Sequence, residues 1–172
     1  MTSMNEADQI KTFQAMAEIS RKWITVLDAK AGFLVAINGA LLAFVWTGAK
    51  LPDSTLHWVK VFVYVSSGLA LASLLLAVSV VFPRIKLDTK PSVEPVTFFA
   101  YVAGKYGQPE SSLFADAVLA MSDQALAREA LEQHHAICHV ALIKSSRVTH
   151  SAACWVGALI STAVAVLVKV AG

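Results

Sequence analysis

The chain has 172 residues, of which 56% are hydrophobic and only 15% are charged, whereas about a quarter of the residues of a soluble domain are charged. The formal net charge is +2, and the long connection 84–150 carries basic and acidic residues in equal number, which excludes a polybasic nucleic-acid surface. The sequence has no phosphate-binding loop, nucleophile elbow or paired-carboxylate pattern. We therefore expect neither an enzyme nor any catalytic residue.

The first predicted element is a cytoplasmic amphipathic helix over residues 1–30. Ser3 and Glu6 have the spacing of a capping box, and no Pro or Gly occurs before Gly32. We therefore expect one long helix that enters the membrane near Asp28. Its apolar face packs against other helices of the same chain, against a second copy or on the membrane surface, and the sequence leaves these interpretations open.

Three apolar runs without charged residues predict transmembrane helices over residues 31–49, 61–83 and 151–168. A bilayer core of about 30 Å needs roughly 17–25 apolar residues in a helix, and all three runs reach this length. The second run is the richest in Leu, Ile, Phe and Val, whereas the third is the shortest and needs support from its neighbours. The predicted fold class is an all-α integral membrane protein with three transmembrane helices.

The remaining segments are a loop at 50–60, a helical module at 84–150 and a tail at 169–172. In the module, the pattern predicts helices over 96–106 and 112–121, and a helix capped by Ser122 or Asp123 that meets no Pro or Gly until Gly157. Outside the spans, the N-terminal helix carries four Lys or Arg residues, the loop carries two, the module seven and the tail one. The positive-inside rule therefore places the N-terminus and the module in the cytoplasm, and the loop and the tail in the periplasm.

Polar and small residues mark the spans for helix packing. Asp28 and Lys30 lie at the inner end of the first span, either as interface anchors or as a switch contact. Asn38 lies near the middle of that span and needs a partner on another helix. Small residues recur at four-residue spacing in each span, which favours close helix packing within one chain or between subunits: Gly32, Ala36 and Ala40; Gly68 and Ala72; Ala153, Gly157, Ser161 and Ala165.

Two pairs of residues have the spacing of metal ligands on a helix: His135 with His139, and His134 with Cys138. A zinc site generally has further protein ligands, and no Cys pair or nearby carboxylate supplies them. Ordinary surface or core histidines are the favoured interpretation, and we expect neither a metal nor a cofactor.

Five short motifs, in order along nearly the whole chain, resemble the transmembrane effectors of the Pycsar antiphage system, PycTM. They are Asp28-Ala29-Lys30-Ala31-Gly32 at the start of the first span, Ile37-Asn38-Gly39 within it, Pro83-Arg84 at the exit of the second, Phe98-Phe99, and Ile143-Lys144 before the last. The chain departs from the family pattern after Lys144, where an aromatic residue is expected and the sequence has Ser145.

The resemblance implies a multi-pass protein of the bacterial inner membrane with a cytoplasmic N-terminus. A partner cyclase makes cyclic UMP (cUMP) or cyclic CMP (cCMP), and the effector responds by impairing the membrane, so that abortive infection kills the cell. The expected protein partners include other copies of the same chain in a homo-oligomer. A phosphodiester favours basic donors, and the candidate ligand-binding residues in the module are Lys86, Lys90, Lys105, Arg128, Lys144 and Arg147. The candidates for a boundary switch or for packing are Asp28, Lys30, Asn38, Pro83 and Arg84.

Two other classes of function remain as alternatives. A membrane scaffold or anchor for a protein partner needs only the three spans and the module. A small channel or transporter is less favoured, because no span contains Asp or Glu and proton-coupled transport generally uses an ionisable group within the membrane.

Overall fold

The computed structural model describes residues 6–82 and 93–172, and the regular elements of these two ranges are all helices, without a strand. The helices are α1 (Glu6–Ala43), α2 (His57–Val81), α3 (Phe99–Lys105), α4 (Ser111–Leu119) and α5 (Asp123–Ala171). Pro83, Arg84, Lys86 and Lys90 were predicted to be functional, and Ser3 was predicted to cap the first helix. All five lie outside the described residues.

Three of these helices, α1, α2 and α5, are long and apolar enough to cross a membrane. The expected continuity of the first helix is confirmed, because α1 runs unbroken past Asp28 and Gly32. The expected continuity of the last helix is confirmed as well, since α5 has 49 residues. After α1 the chain forms a π-helical turn, Phe44–Gly48, and then reverses at Lys50, whose backbone is left-handed with φ 46°.

The chain folds as two compact units, each built from two stretches of sequence. The first unit comprises Met1–Lys22 and Ile85–Val140, and the second comprises Trp23–Arg84 and Ala141–Gly172. Helices α1 and α5 each contribute residues to both units, whereas α2 lies in the second and α3 and α4 lie in the first.

The second unit packs its three helices through a narrow seam and leaves large apolar side chains outside. The buried residues of α2 recur at alternating steps of four and three, which is the seven-residue repeat of helix-to-helix packing: Val59, Val63, Ser66, Ala70, Ser73, Ala77 and Val80. Phe33, Leu75 and Leu167 are each about two-thirds exposed. Such a surface is unfavourable in water and suits lipid, which agrees with a membrane protein.

In the first unit, two predicted helices begin at different residues from those expected. The helix expected over 96–106 is α3 and begins only at Phe99, after Phe98, whose backbone is extended with φ −90° and ψ 107°. The backbone N–H of Thr97 donates to the Glu129 carboxylate at 2.8 Å. The helix expected over 112–121 is α4, and Ser112 does not cap it, because a 3₁₀ turn, Gln108–Glu110, leads directly into Ser111.

The expected cap at the start of α5 is confirmed. The Ser122 hydroxyl accepts a hydrogen bond from the backbone N–H of Ala125 at 3.2 Å, which satisfies one of the donors that the first turn of a helix leaves unpaired.

Candidate functional site: a boundary clamp and a polar core

Two basic side chains of α5 tie it to both other spans of the second unit. The Lys144 ammonium group donates to the Asp28 carboxylate of α1 at 2.5 Å, and the Lys144 side chain is only 12% exposed. One helical turn further on, the Arg147 guanidinium donates to the backbone carbonyl of Ser79 in α2 at 2.9 Å. Ser79 lies in the last turn of α2, where carbonyls have no partner within the helix and a positive charge is favourable. We call these four residues the boundary clamp.

A set of polar side chains deeper in the spans, the polar core, joins the same three helices. Asn38 Nδ2 donates to the Ser73 hydroxyl at 2.8 Å and to the backbone carbonyl of Leu34 at 2.8 Å. Ser73 donates in turn to the Ser151 backbone carbonyl, and Ser151 donates to the Ser73 carbonyl, each at 2.8 Å. Asn38, Ser73 and Ser151 are fully buried. The prediction that Asn38 has a partner on another helix is therefore confirmed.

A second polar layer lies two helical turns along α2 from the polar core. The Ser66 hydroxyl is 2.6 Å from the Thr162 hydroxyl and donates to the Ala158 carbonyl at 3.0 Å. This layer links only α2 and α5. Four polar residues of this packing were not predicted from the sequence: Ser66, Ser73, Ser151 and Thr162. The seven-residue spacing of Ser66 and Ser73 within an apolar run nevertheless indicates that they lie on one face.

Two buried polar atoms of the spans have no hydrogen-bond partner among the described residues. They are the Asn38 Oδ1 atom and the Trp155 indole N–H. An unsatisfied polar group that is removed from water costs about 1–3 kcal/mol. Each of these two atoms can therefore still form a hydrogen bond within the three-helix packing.

In the first unit, Lys105 lies among aromatic side chains and one carboxylate. Its ammonium group is 2.7 Å from the Glu94 carboxylate and 5.7 and 5.2 Å from the ring centres of Tyr101 and Tyr106, which are cation–π distances. The Tyr106 hydroxyl donates to the same Glu94 oxygen at 2.5 Å, and its ring makes an edge contact with Phe114. We call these five residues the aromatic cluster.

The hydrogen bonds of the aromatic cluster shift three pKa values. The bond from Lys105 and then that from Tyr106 lower the pKa of Glu94 below its ordinary 4.5. The bond to Glu94 raises the pKa of Lys105 and also the pKa of Tyr106. All three shifts favour a negative Glu94 beside a positive Lys105 and a neutral Tyr106.

The structure thus distributes the predicted site residues over both units. Lys105 belongs to the aromatic cluster, and Arg128 is an exposed residue that pairs with Glu132 at 3.7 Å. Lys144 and Arg147, predicted to bind a ligand, are bonded to other spans, and Lys144 pairs with Asp28, which was predicted as a switch residue. Lys30 is exposed. In the described ranges, no three His, Cys, Asp or Glu side chains converge on one point as metal ligands.

Fold and contacts together define a helical membrane protein whose three spans are joined by buried hydrogen bonds. In comparison with known families, residues 12–171 match the Pycsar effector protein domain, PycTM. The match covers nearly all of the chain, so the chain belongs to this family, which supports the role of an effector in antiphage defence and implies a cyclic nucleotide signal from a partner cyclase. No curated protein and no solved structure matches the chain.

Proposed function

We propose that the chain is an effector that a cyclic pyrimidine nucleotide, cyclic UMP or cyclic CMP, converts from a resting to a membrane-damaging form. The damaged membrane is the bacterial inner membrane, and abortive infection follows. The observation that carries this proposal is the match to the Pycsar effector family over residues 12–171. The buried polar groups of the three spans support it, because they provide contacts that water or other copies of the chain can replace.

The aromatic cluster is the proposed place for the nucleotide. A pyrimidine base stacks favourably on tyrosine rings, with a gain of about 1–3 kcal/mol per stacked base. The cyclic phosphodiester carries one negative charge and can form an ion pair with the Lys105 ammonium group. In this proposal, Lys105 gives up its ion pair with Glu94 and pairs with the phosphate instead. In the same proposal, three further basic side chains donate hydrogen bonds to the phosphate: those of Arg128, Lys86 and Lys90.

Lys144 and Arg147 take the role of a switch in this proposal. A ligand shifts a conformational equilibrium only by its difference in affinity for the two states, and such coupling is typically about 1–3 kcal/mol. Interhelical hydrogen bonds in membranes average about 0.6 kcal/mol each. The coupling free energy is therefore large enough to break a few of them. Because α1 and α5 belong to both units, a change in their packing in the first unit acts on the clamp in the second.

Dye leakage from liposomes that contain the purified protein tests this function. We expect cyclic UMP or cyclic CMP to cause leakage, and cyclic AMP to cause none. Lys105→Ala should raise the nucleotide concentration needed at least tenfold. Lys22→Ala is the matched control, since Lys22 is also an exposed lysine paired with a glutamate, Glu18, at 3.0 Å, but lies outside the aromatic cluster.

Two results would contradict the proposal in different ways. Absence of leakage with every cyclic nucleotide, from a protein shown to be folded and inserted, contradicts the membrane-damaging function. Leakage that Lys105→Ala leaves unchanged contradicts only the placement of the nucleotide at the aromatic cluster.

A further inference from the structure

Four side chains with metal-ligating atoms lie on two successive turns of α5, in the part that belongs to the first unit. His134 and Cys138 form one pair, the His–Cys dyad, and His135 and His139 form the other, the His–His dyad. Cys138, His135 and His139 are exposed, and His134 is partly buried. None of the four takes part in the boundary clamp, the polar core or the aromatic cluster.

The separation within the His–His dyad is that which a tetrahedral zinc ion requires, and the His–Cys dyad reaches it by rotation of one ring. In the His–His dyad the two Nε2 atoms are 3.3 Å apart. Two nitrogens at about 2.05 Å from zinc with that separation subtend about 107° at the metal, close to the tetrahedral angle. In the His–Cys dyad the Cys138 Sγ atom is 3.6 Å from His134 Nε2 and 3.9 Å from His134 Nδ1, so the sulfur lies beside the ring. The two side chains are close enough to share a zinc ion once the His134 ring turns its Nε2 lone pair toward the metal.

A neighbouring hydroxyl can hold His134 in the tautomer that binds a metal through Nε2. Ser20 Oγ lies 3.3 Å from His134 Nδ1. When the Ser20 hydroxyl accepts a hydrogen bond from Nδ1–H, the lone pair is left on Nε2, the nitrogen that binds the metal in this proposal. Hydrogen bonds of this kind orient metal-binding histidines and strengthen their binding about 10–100-fold. The same hydroxyl lies 3.8 Å from Cys138 Sγ, so it supports both members of the dyad.

We propose that this part of α5 is a binding site for Zn²⁺ or a dication of similar ligand preference, held by the His–Cys dyad with Ser20 behind it and by the adjacent His–His dyad. Two protein ligands per ion leave two positions for water, so binding is reversible and weaker than at a structural zinc site. The proposal does not depend on nucleotide activation. It departs from the expectation of no metal, which rested on spacing alone without these distances.

The test uses untagged, full-length protein in detergent, titrated with ZnCl₂ by calorimetry. We expect binding that weakens at least tenfold when all four ligands are replaced by alanine, and by a smaller factor for Ser20→Ala. His150→Ala is the matched control, because His150 lies on the same helix and its hydrogen bonds within the described ranges go to Ser146. Unchanged zinc binding in the fourfold variant, or equal loss in His150→Ala, would overturn the proposal.

A second measurement follows the thiol directly. In a Cys154→Ser background, Cys138 is the single cysteine of the chain, and its rate of reaction with a thiol reagent reports whether zinc is bound. We expect zinc to slow this reaction at least tenfold, and chelator to restore it. A rate that zinc leaves unchanged would exclude Cys138 as a ligand even if the protein binds zinc elsewhere.

Discussion

Asn38 shows how one polar side chain can set the rotation of a membrane span. Hydrocarbon offers no hydrogen-bond partner, so the amide has to face another helix, and it bonds to Ser73. The sequence predicts this need, because an amide in the middle of an apolar run stands out. The sequence does not predict which residue forms the hydrogen bond with Asn38. Several serines lie in the second run, and the partner depends on which side of α2 faces α1.

Ser73→Ala should destabilise the three-span unit more than Ser79→Ala. The first substitution removes hydrogen bonds of Ser73 with both Asn38 and Ser151 across helices; at an average of about 0.6 kcal/mol for each such bond, the total cost is about 1–2 kcal/mol. The second removes only a hydrogen bond to Leu76 within α2. Unfolding of both variants in mixed micelles measures the difference, and equal stability would show that the polar core contributes nothing.

Glu94 gives the aromatic cluster a dependence on pH. Because Lys105 and Tyr106 hold the pKa of Glu94 below its ordinary 4.5, its contribution to stability is fully present above that pH and is lost as the pH falls through the lowered value. We expect the NMR signals of the Tyr106 ring to change on acidification in the wild type. Glu94→Gln should already show the changed signals at neutral pH, and a titration identical to that of the wild type would contradict the assignment.

At the scale of elements, the small residues of the spans divide into two groups. A β-carbon on Gly157 would lie 3.2 Å from Leu69, whereas one on Gly32, Gly39 or Gly68 would meet nothing within 4 Å. Of the ladders that the sequence predicted for packing, the one in α5 is thus used within the chain at Gly157. The one in α1 faces outward at Gly32, Ala36 and Ala40.

This division predicts different effects for the same substitution. Gly157→Leu forces a large side chain against Leu69 and should cost about 1–3 kcal/mol, the usual range for overpacking. Gly39→Leu adds an apolar side chain to an exposed face and should leave the stability of the monomer unchanged or slightly improved. Thermal unfolding in detergent measures both, and equal effects would contradict the observed packing.

The helices were predictable where composition and periodicity decide them. Apolar length identified α1, α2 and α5 as spans, and the absence of Pro and Gly identified the long run of α5. The hydrogen bond of Thr97 just before α3 was not predictable, because its acceptor, Glu129, is 32 residues away. The ion pair of Asp28 with Lys144 was missed for the same reason, since 116 residues separate its members.

At the scale of the whole molecule, the distribution of basic residues predicts the orientation in the membrane. We expect alkaline phosphatase fused after Asp53 to be active in the bacterial periplasm, and the same enzyme fused after Gly107 to be inactive in the cytoplasm. A fluorescent protein fused at each position should give the opposite pattern. The reverse result for both reporters would place the aromatic cluster in the periplasm and would contradict the proposed signal.

The unpaired Asn38 oxygen has a consequence for how water first enters the bilayer interior. A water molecule that penetrates an apolar layer gives up hydrogen bonds and regains none, whereas one that reaches this oxygen donates a bond to an acceptor that has no donor among the described residues. The penalty for wetting is therefore lower at this depth than in a purely apolar layer. Any widening between α1 and its neighbours should hydrate here before it hydrates the purely apolar layers of the spans.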